Sequence, residues 1–199
     1  MSLDGKRVAL LIEDDYQELE AWYPRLRLEE AGADVTVVGP GHKKTFASKL
    51  GYPIDADVSA ADVSADDFDA IVVPGGFAPD HMRLSQPMID LVRDVFEAGK
   101  LTAAICHGGW MLVSAGALDG RKATGYDPIR HDVENAGGEW VDESVVIDGN
   151  VITSRTPPDL PDFLREIVDY LETDGASAKN RTAVAASTHA GLSPDDEYR

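Results

Sequence analysis

The sequence predicts an α/β protein with a doubly wound, mostly parallel sheet flanked by helices. Three observations carry this. Short runs of aliphatic and β-branched residues recur without polar alternation, as in strands buried on both faces. Longer stretches with helical spacing lie between them and stop at glycine. The apolar runs also end in Gly-, Pro- or acid-rich turns, so strand and helix alternate along the chain.

The elements follow in order. Arg7–Ile12 (RVALLI) is an apolar run closed by acids and reads as a buried parallel strand. Leu19, Trp22, Tyr23, Leu26 and Leu28 recur at near-helical spacing, and Gly32 ends that helix. Asp34–Val38 is the next strand and completes a βαβ unit. Residues 41–65 carry Gly51, Pro53 and several Ser and Asp, and leave room only for short hairpin strands. Ala70–Val73 is a further buried strand, broken by Pro74-Gly75-Gly76. A helix is expected over 87–98, ended by Gly99, and a strand over Leu101–Ile105. Helical pattern resumes over 110–114 and stops at Gly116. Short strands fit 122–124, 144–147 and 151–153, and a last helix fits 158–171. Residues 1–173 are expected to form one catalytic domain. Residues 174–199, rich in Ala, Ser, Thr and Asp, are expected to form a flexible acidic tail.

Composition limits the function. The 199 residues carry 36 Asp and Glu against 18 Lys and Arg, a net charge of −18. The acid is spread along the chain, which fits adaptation to a salty cytoplasm better than one acidic docking face. No basic stripe exists to neutralise phosphates, so nucleic acid is not an expected partner. No apolar run approaches the ~18 residues of a membrane span, and the first residues lack the apolar core of a secretory signal. A cytoplasmic location with no membrane partner is expected. A lone cysteine builds neither an internal disulfide nor a thiolate cluster. His42, His81, His107, His131 and His189 show no metal-binding spacing, so no metal is expected.

The informative segment is LTAAICHGGWMLVSAG, residues 101–116. A small-residue strand ends at Cys106, glycines follow, and a helix begins. Such a turn exposes a side chain at the carboxyl end of the sheet above a helix N-terminus, where N–H groups favour a thiolate. The nucleophile elbow of serine hydrolases has the same shape. A lone cysteine is ordinarily a small core residue, but its place before Gly108-Gly109 argues for a nucleophile. Adjacency alone does not decide whether His107 is a base or an exposed edge residue. Pro74-Gly75-Gly76 lies at the same sheet edge, where ligands of open α/β sheets bind. A glycine there can offer an oxyanion donor or merely make a turn. Glu20 lies early in the first helix among Glu13, Asp14, Asp15 and Glu18, and spacing does not choose among these acids.

The sequence resembles the PfpI branch of the DJ/PfpI superfamily over roughly residues 6–172. The residues that carry the likeness are AICHGGWMLVSAGALDGRKATGY at 104–126, EAWYPRLRL at 20–28, PGGFAPD at 74–80 and NAGGEWVDESVVIDGNVITSRTPPDL at 135–160. The resemblance implies a class I glutamine-amidotransferase-like, flavodoxin-like sandwich that needs no cofactor. It implies Cys106 as nucleophile, Glu20 as the carboxyl group touching its sulfur, and His107 as general base or acid. It implies Asp80 as the acid orienting His107 from a neighbouring subunit, hence a homo-oligomer. Gly76 and the His107 N–H would form the oxyanion hole. Gln17 stands where this branch usually has an acid, Asp80 where it has a longer Glu, and Gly109 where a proline is common. Trp110 and Tyr126 are then expected to shape the pocket. Similar proteins convert methylglyoxal to lactate without glutathione or have been described as deglycases. The expected function is therefore a cysteine-dependent, stress-protective enzyme acting on small-molecule carbonyls. The alternatives are an intracellular cysteine peptidase and a redox-sensing or chaperone-like stress protein.

Overall fold

A computed structural model describes residues 2–175 of the chain. The expectation for the tail falls, from residue 176 on, outside the described residues. The main sheet is built from β1 (Arg7–Leu11), β2 (Asp34–Gly39), β5 (Val58–Ser59), β6 (Ala70–Val73), β7 (Leu101–Ile105), β10 (Val145–Asp148) and β11 (Val151–Ser154). β3 (Thr45–Ala47) and β4 (Pro53–Asp55) form an antiparallel hairpin, and β8 (Lys122–Ala123) and β9 (Glu139–Trp140) a small parallel pair. The helices are α1 (Glu18–Ala31), α2 (Ala78–Met82), α3 (Gln86–Glu97), α4 (Gly109–Ala115), α5 (Arg130–Asn135) and α6 (Leu160–Glu172).

The seven-stranded sheet has the order β10-β11-β7-β6-β1-β2-β5. Every pairing in it is parallel except β10 with β11. The architecture is the doubly wound, helix-flanked sheet that the sequence predicts. Every residue of β6 (AIVV) and β7 (LTAAI) is buried, which is why both read as unbroken apolar runs. Each fully buried Val or Ile contributes roughly 1.5–3 kcal/mol of hydrophobic stabilisation.

The winding direction positions the site. From β1 the chain steps outward to β2 and β5, then returns to pair β6 on the other side of β1 and steps outward again to β7 and β11. Right-handed crossovers therefore place α1 and α3 on opposite faces. α6 packs on α1, and α4 on α3. The reversal lies between β1 and β6, and ligands of such sheets bind at that point beyond the strands' carboxyl ends. The segments after β1, β6 and β7 all emerge there.

One sequence reading is corrected in α1. Leu19, Tyr23 and Leu26 do not face the core: they are 56%, 38% and 57% exposed. The buried side is Glu20, Ala21, Pro24, Leu28 and Ala31. Small residues at 21, 24 and 31 also recur at helical spacing and let the helix lie close to the sheet, which a Leu/Tyr seam would prevent. Among the described residues no helix is long and apolar enough to cross a membrane.

Candidate active site

β7 ends at Ile105, and Cys106–Gly108 form a single tight turn before α4. Cys106 has φ of 59°, one of three non-glycine residues with positive φ among the described residues. Left-handed backbone costs a residue with a Cβ about 1–2 kcal/mol, and such strain persists only where the surroundings hold it. The strand behind and the helix ahead hold it here, so the side chain is lifted into the crevice.

Glu20 reaches the same point from α1. Gln17 caps that helix, its side-chain oxygen accepting the Glu20 N–H at 3.0 Å. The Glu20 side chain is fully buried, and its Oε2 accepts the Gly75 N–H at 2.8 Å. A Cβ on Gly75 would stand 2.6 Å from Glu20 Oε2 and 2.7 Å from Cys106 Cβ, so only glycine lets the three groups meet. Gly76 has φ of +75° and sits against residues 15–17. Tyr16 bridges to both Gly76 and Ser48, tying the three segments of the rim together.

Around the sulfur, the backbone N–H groups of His107 and Gly76 donate toward Cys106, and the Glu20 side chain hydrogen-bonds with it. The His107 Nδ1 lies 3.4 Å from Sγ. Burial and Glu20 act against the thiolate that the elbow alone would favour. Burial, followed by the negative charge of Glu20, pushes the thiol well above the ordinary cysteine range, and the two N–H groups offset only part of this. Two like charges in such contact do not coexist, so Cys106 and Glu20 together carry one proton and one negative charge.

The His107 ring is half-buried and bounded by aromatic rings, with centroids at 4.9 Å for Tyr126, 5.1 Å for Trp110 and 6.1 Å for Phe77. Burial, then the charge of Lys49, holds its pKa below the usual histidine value, so it is a neutral imidazole at pH 7.

The structure thus brings Cys106, Glu20, His107, Gly76, Gln17 and Tyr126 to one cleft. It places two of the sequence-derived residues elsewhere. Trp110 backs the far side of His107 and donates its indole N–H to Asp132 at 2.8 Å, outside the cleft lining. Asp80 is exposed on α2, also outside the lining. Sequence reasoning missed Gly75 as the clamp on Glu20, although the PGG run held the signal. It also missed Lys49, Phe77, Thr156 and Pro157 as lining residues, which arrive from distant segments. Among the described residues no three His, Cys, Asp or Glu side chains converge as metal ligands would.

A doubly wound sheet with a strained cysteine elbow, a buried glutamate beside the sulfur and a Pro-Gly-Gly turn opposite defines a class of protein. Residues 6–170 match the DJ-1/PfpI family, and the chain belongs to it. The protein named Deglycase PfpI from Pyrococcus furiosus is 42% identical over 166 residues, covering 83% of this chain and 99% of that one. A Thermococcus kodakarensis protein, also named a deglycase, is 44% identical over 165 residues, with the same coverage. Among solved structures, Drosophila melanogaster DJ-1beta superposes with a TM-score of 0.79 at 31% identity, covering 89% of this chain and 95% of that chain. A two-domain Anabaena variabilis protein with dj-1/thij/pfpi-like and ferritin-like domains gives 0.82 at 40% identity, covering 89% of this chain. This chain spans about half the length of that protein, 52%.

Proposed function

We propose that the chain is a cysteine-dependent enzyme acting on small reactive carbonyl compounds, of the glyoxalase or deglycase kind. One observation carries this reading: a buried glutamate hydrogen-bonded with the cysteine sulfur, with two backbone N–H groups aimed at the same atom. The names of the archaeal relatives support it. With methylglyoxal, Cys106 sulfur adds to the aldehyde carbon while Glu20 takes the thiol proton, giving a hemithioacetal. The developing oxygen charge is met by the Gly76 and His107 N–H groups. Movement of a proton from the former aldehyde carbon to the neighbouring carbon gives a lactoyl thioester, and Glu20 or His107 carries that proton. Water then releases lactate and restores the thiol. No external oxidant is consumed, because one carbon is oxidised as its neighbour is reduced.

The same site favours this chemistry over the two alternatives. Peptide cleavage needs an oriented histidine to protonate an amine leaving group. Here His107 is bounded by aromatic rings, and its orienting acid, Asp80, would have to come from a second subunit. A redox switch needs an exposed, low-pKa thiol, whereas Cys106 is 8% exposed with its thiol pushed up. The test measures lactate from methylglyoxal beside cleavage of casein and fluorogenic peptides, in high salt. Lactate formation is expected, abolished by Cys106→Ser and reduced at least about 100-fold by Glu20→Gln. Cys106-dependent peptide cleavage without lactate would overturn the proposal. Full activity in Glu20→Gln would transfer the shuttle to His107.

A further inference from the structure

The carbonyl chemistry at Cys106 assigns no role to one charged residue that lines the cleft. Lys49 is exposed, sits after the β3 strand of the hairpin, and lines the same cleft as Cys106. Its place is built. The Lys49 N–H donates to the Tyr16 carbonyl at 3.0 Å. On either side of it, the Ser48 hydroxyl and the Leu50 N–H donate to the Glu18 carboxylate at 2.5 and 2.9 Å. The loop is thus bound to the head of the helix that carries Glu20. The Lys49 charge is felt inside the cleft, where it disfavours protonation of His107.

The charge balance makes this position informative. The chain has twice as many acids as bases and a net charge of −18, so an anionic molecule approaching at random is repelled. The cleft lining nevertheless holds one cation, Lys49, against one carboxylate, Glu20. Glu20 is committed to the sulfur and to Gly75. The other polar side chain of the floor, Gln17, has its oxygen on the Glu20 N–H. That bond engages the carboxamide oxygen, and the NH₂ group supplies the side chain's donors. A neutral aldehyde needs neither an ammonium nor an amide donor.

We propose that Lys49 and the Gln17 amide form an anion subsite, and that the carbonyl substrates of this cleft carry a carboxylate a few bonds from the reacting carbon. The substrate class rests on the carbonyl reading of the site; the subsite itself does not. A carboxylate brings one negative charge toward Lys49, whereas a phosphate dianion would bring a second toward the Glu20–Cys106 pair. A suitable probe is 4,5-dioxopentanoate, the carboxylate-bearing counterpart of methylglyoxal. With water it gives 2-hydroxyglutarate by the same internal transfer, the aldehyde carbon being oxidised and the keto carbon reduced.

Two experiments test this separately. In the first, Cys106 is alkylated by iodoacetate and by iodoacetamide, which are nearly the same shape and differ in charge. The rate ratio, referred to that of free cysteine, is expected to fall roughly five- to tenfold in Lys49→Gln. Lys49→Arg should restore it, and in the wild type it should fall with added KCl. A ratio that Lys49→Gln leaves within twofold would overturn the subsite, whatever the enzyme's reaction. In the second, kcat/KM for 4,5-dioxopentanoate is compared with that for the neutral isostere 5-methyl-2-oxohexanal. A preference of at least about fivefold for the anion, expressed in KM and lost in Lys49→Gln, is expected. Equal values would overturn the substrate class while leaving the carbonyl reading intact. Turnover of neither compound, nor of methylglyoxal, would reject the carbonyl reading and the substrate class with it, and the alkylation ratio would still decide the subsite.

Discussion

Replacing Gly75 by alanine perturbs the contact on which the site depends. The added methyl would lie 2.6 Å from Glu20 Oε2, 2.7 Å from Cys106 Cβ and 2.9 Å from the His107 nitrogen. Two of these atoms belong to backbone or to a Cβ and cannot swing aside. The third is the far end of Glu20, which is fully buried with its Oε2 held by the Gly75 N–H. Several tenths of an ångström of movement is therefore forced on the turn or on Glu20. Overpacking of this kind costs about 1–3 kcal/mol. Weakening a buried hydrogen bond to a charged group costs about 1.5–3 kcal/mol more. A destabilisation of about 3–5 kcal/mol is expected by urea unfolding in molar KCl. Displacing the carboxyl from the sulfur is expected to lower lactate formation by about 100-fold. Gly99→Ala is the control: its φ is +73°, yet a Cβ there meets nothing within 4 Å. It should lose only about 1–2 kcal/mol of backbone strain and keep full turnover. A Gly75→Ala protein within 0.5 kcal/mol of wild type and equally active would refute the three-way contact.

Three further outcomes follow from the same geometry. Iodoacetamide labelling of Cys106 should inflect above the ordinary thiol range, because burial and Glu20 both disfavour the thiolate. Its rate should still be rising well above pH 8.5, where a free thiol, with a pKa of about 8.5, has levelled off. Glu20→Gln removes the charge and keeps the shape, so the inflection should move down by about one pH unit or more; an unchanged profile would show that the two groups are uncoupled. With a net charge of −18, the thermal midpoint should rise strongly between low and molar KCl, and a flat response would remove the salt-adaptation reading. If Asp80 serves His107 of a neighbouring subunit, mixed oligomers of Cys106→Ser and Asp80→Ala chains should recover part of the activity. No recovery from verified mixtures would reject the shared site, and a monomer by light scattering would reject self-association itself.

The sequence by itself determined the sheet and the nucleophile elbow. β1, β6 and β7 are buried on both faces, so their hydrophobicity had to be continuous and could be read without coordinates. Cys106 was legible because the strand, the following glycines and the helical pattern are contiguous, and the elbow is a local shape. The orientation of α1 was not legible. Two apolar seams recur at helical spacing, and only the sheet beneath decides that the small residues go in and that Leu19, Tyr23 and Leu26 stay out. Spacing did not single out the acid either: the family resemblance named Glu20, but Glu13, Asp14, Asp15, Glu18 and Glu20 are physically equivalent until the Gly75 N–H selects one of them. The effects that oppose a Cys106 thiolate were not legible, because the helix terminus is a local feature whereas burial beside Glu20 is a tertiary one. Lys49 gave no signal at all. A lysine in a Ser-Lys-Leu-Gly turn becomes part of the cleft only when the hairpin docks on Tyr16 and Glu18, contacts between segments some thirty residues apart. Periodicity records which residues are covered. Which of them meet across the sheet edge is decided only when the chain reverses its winding between β1 and β6.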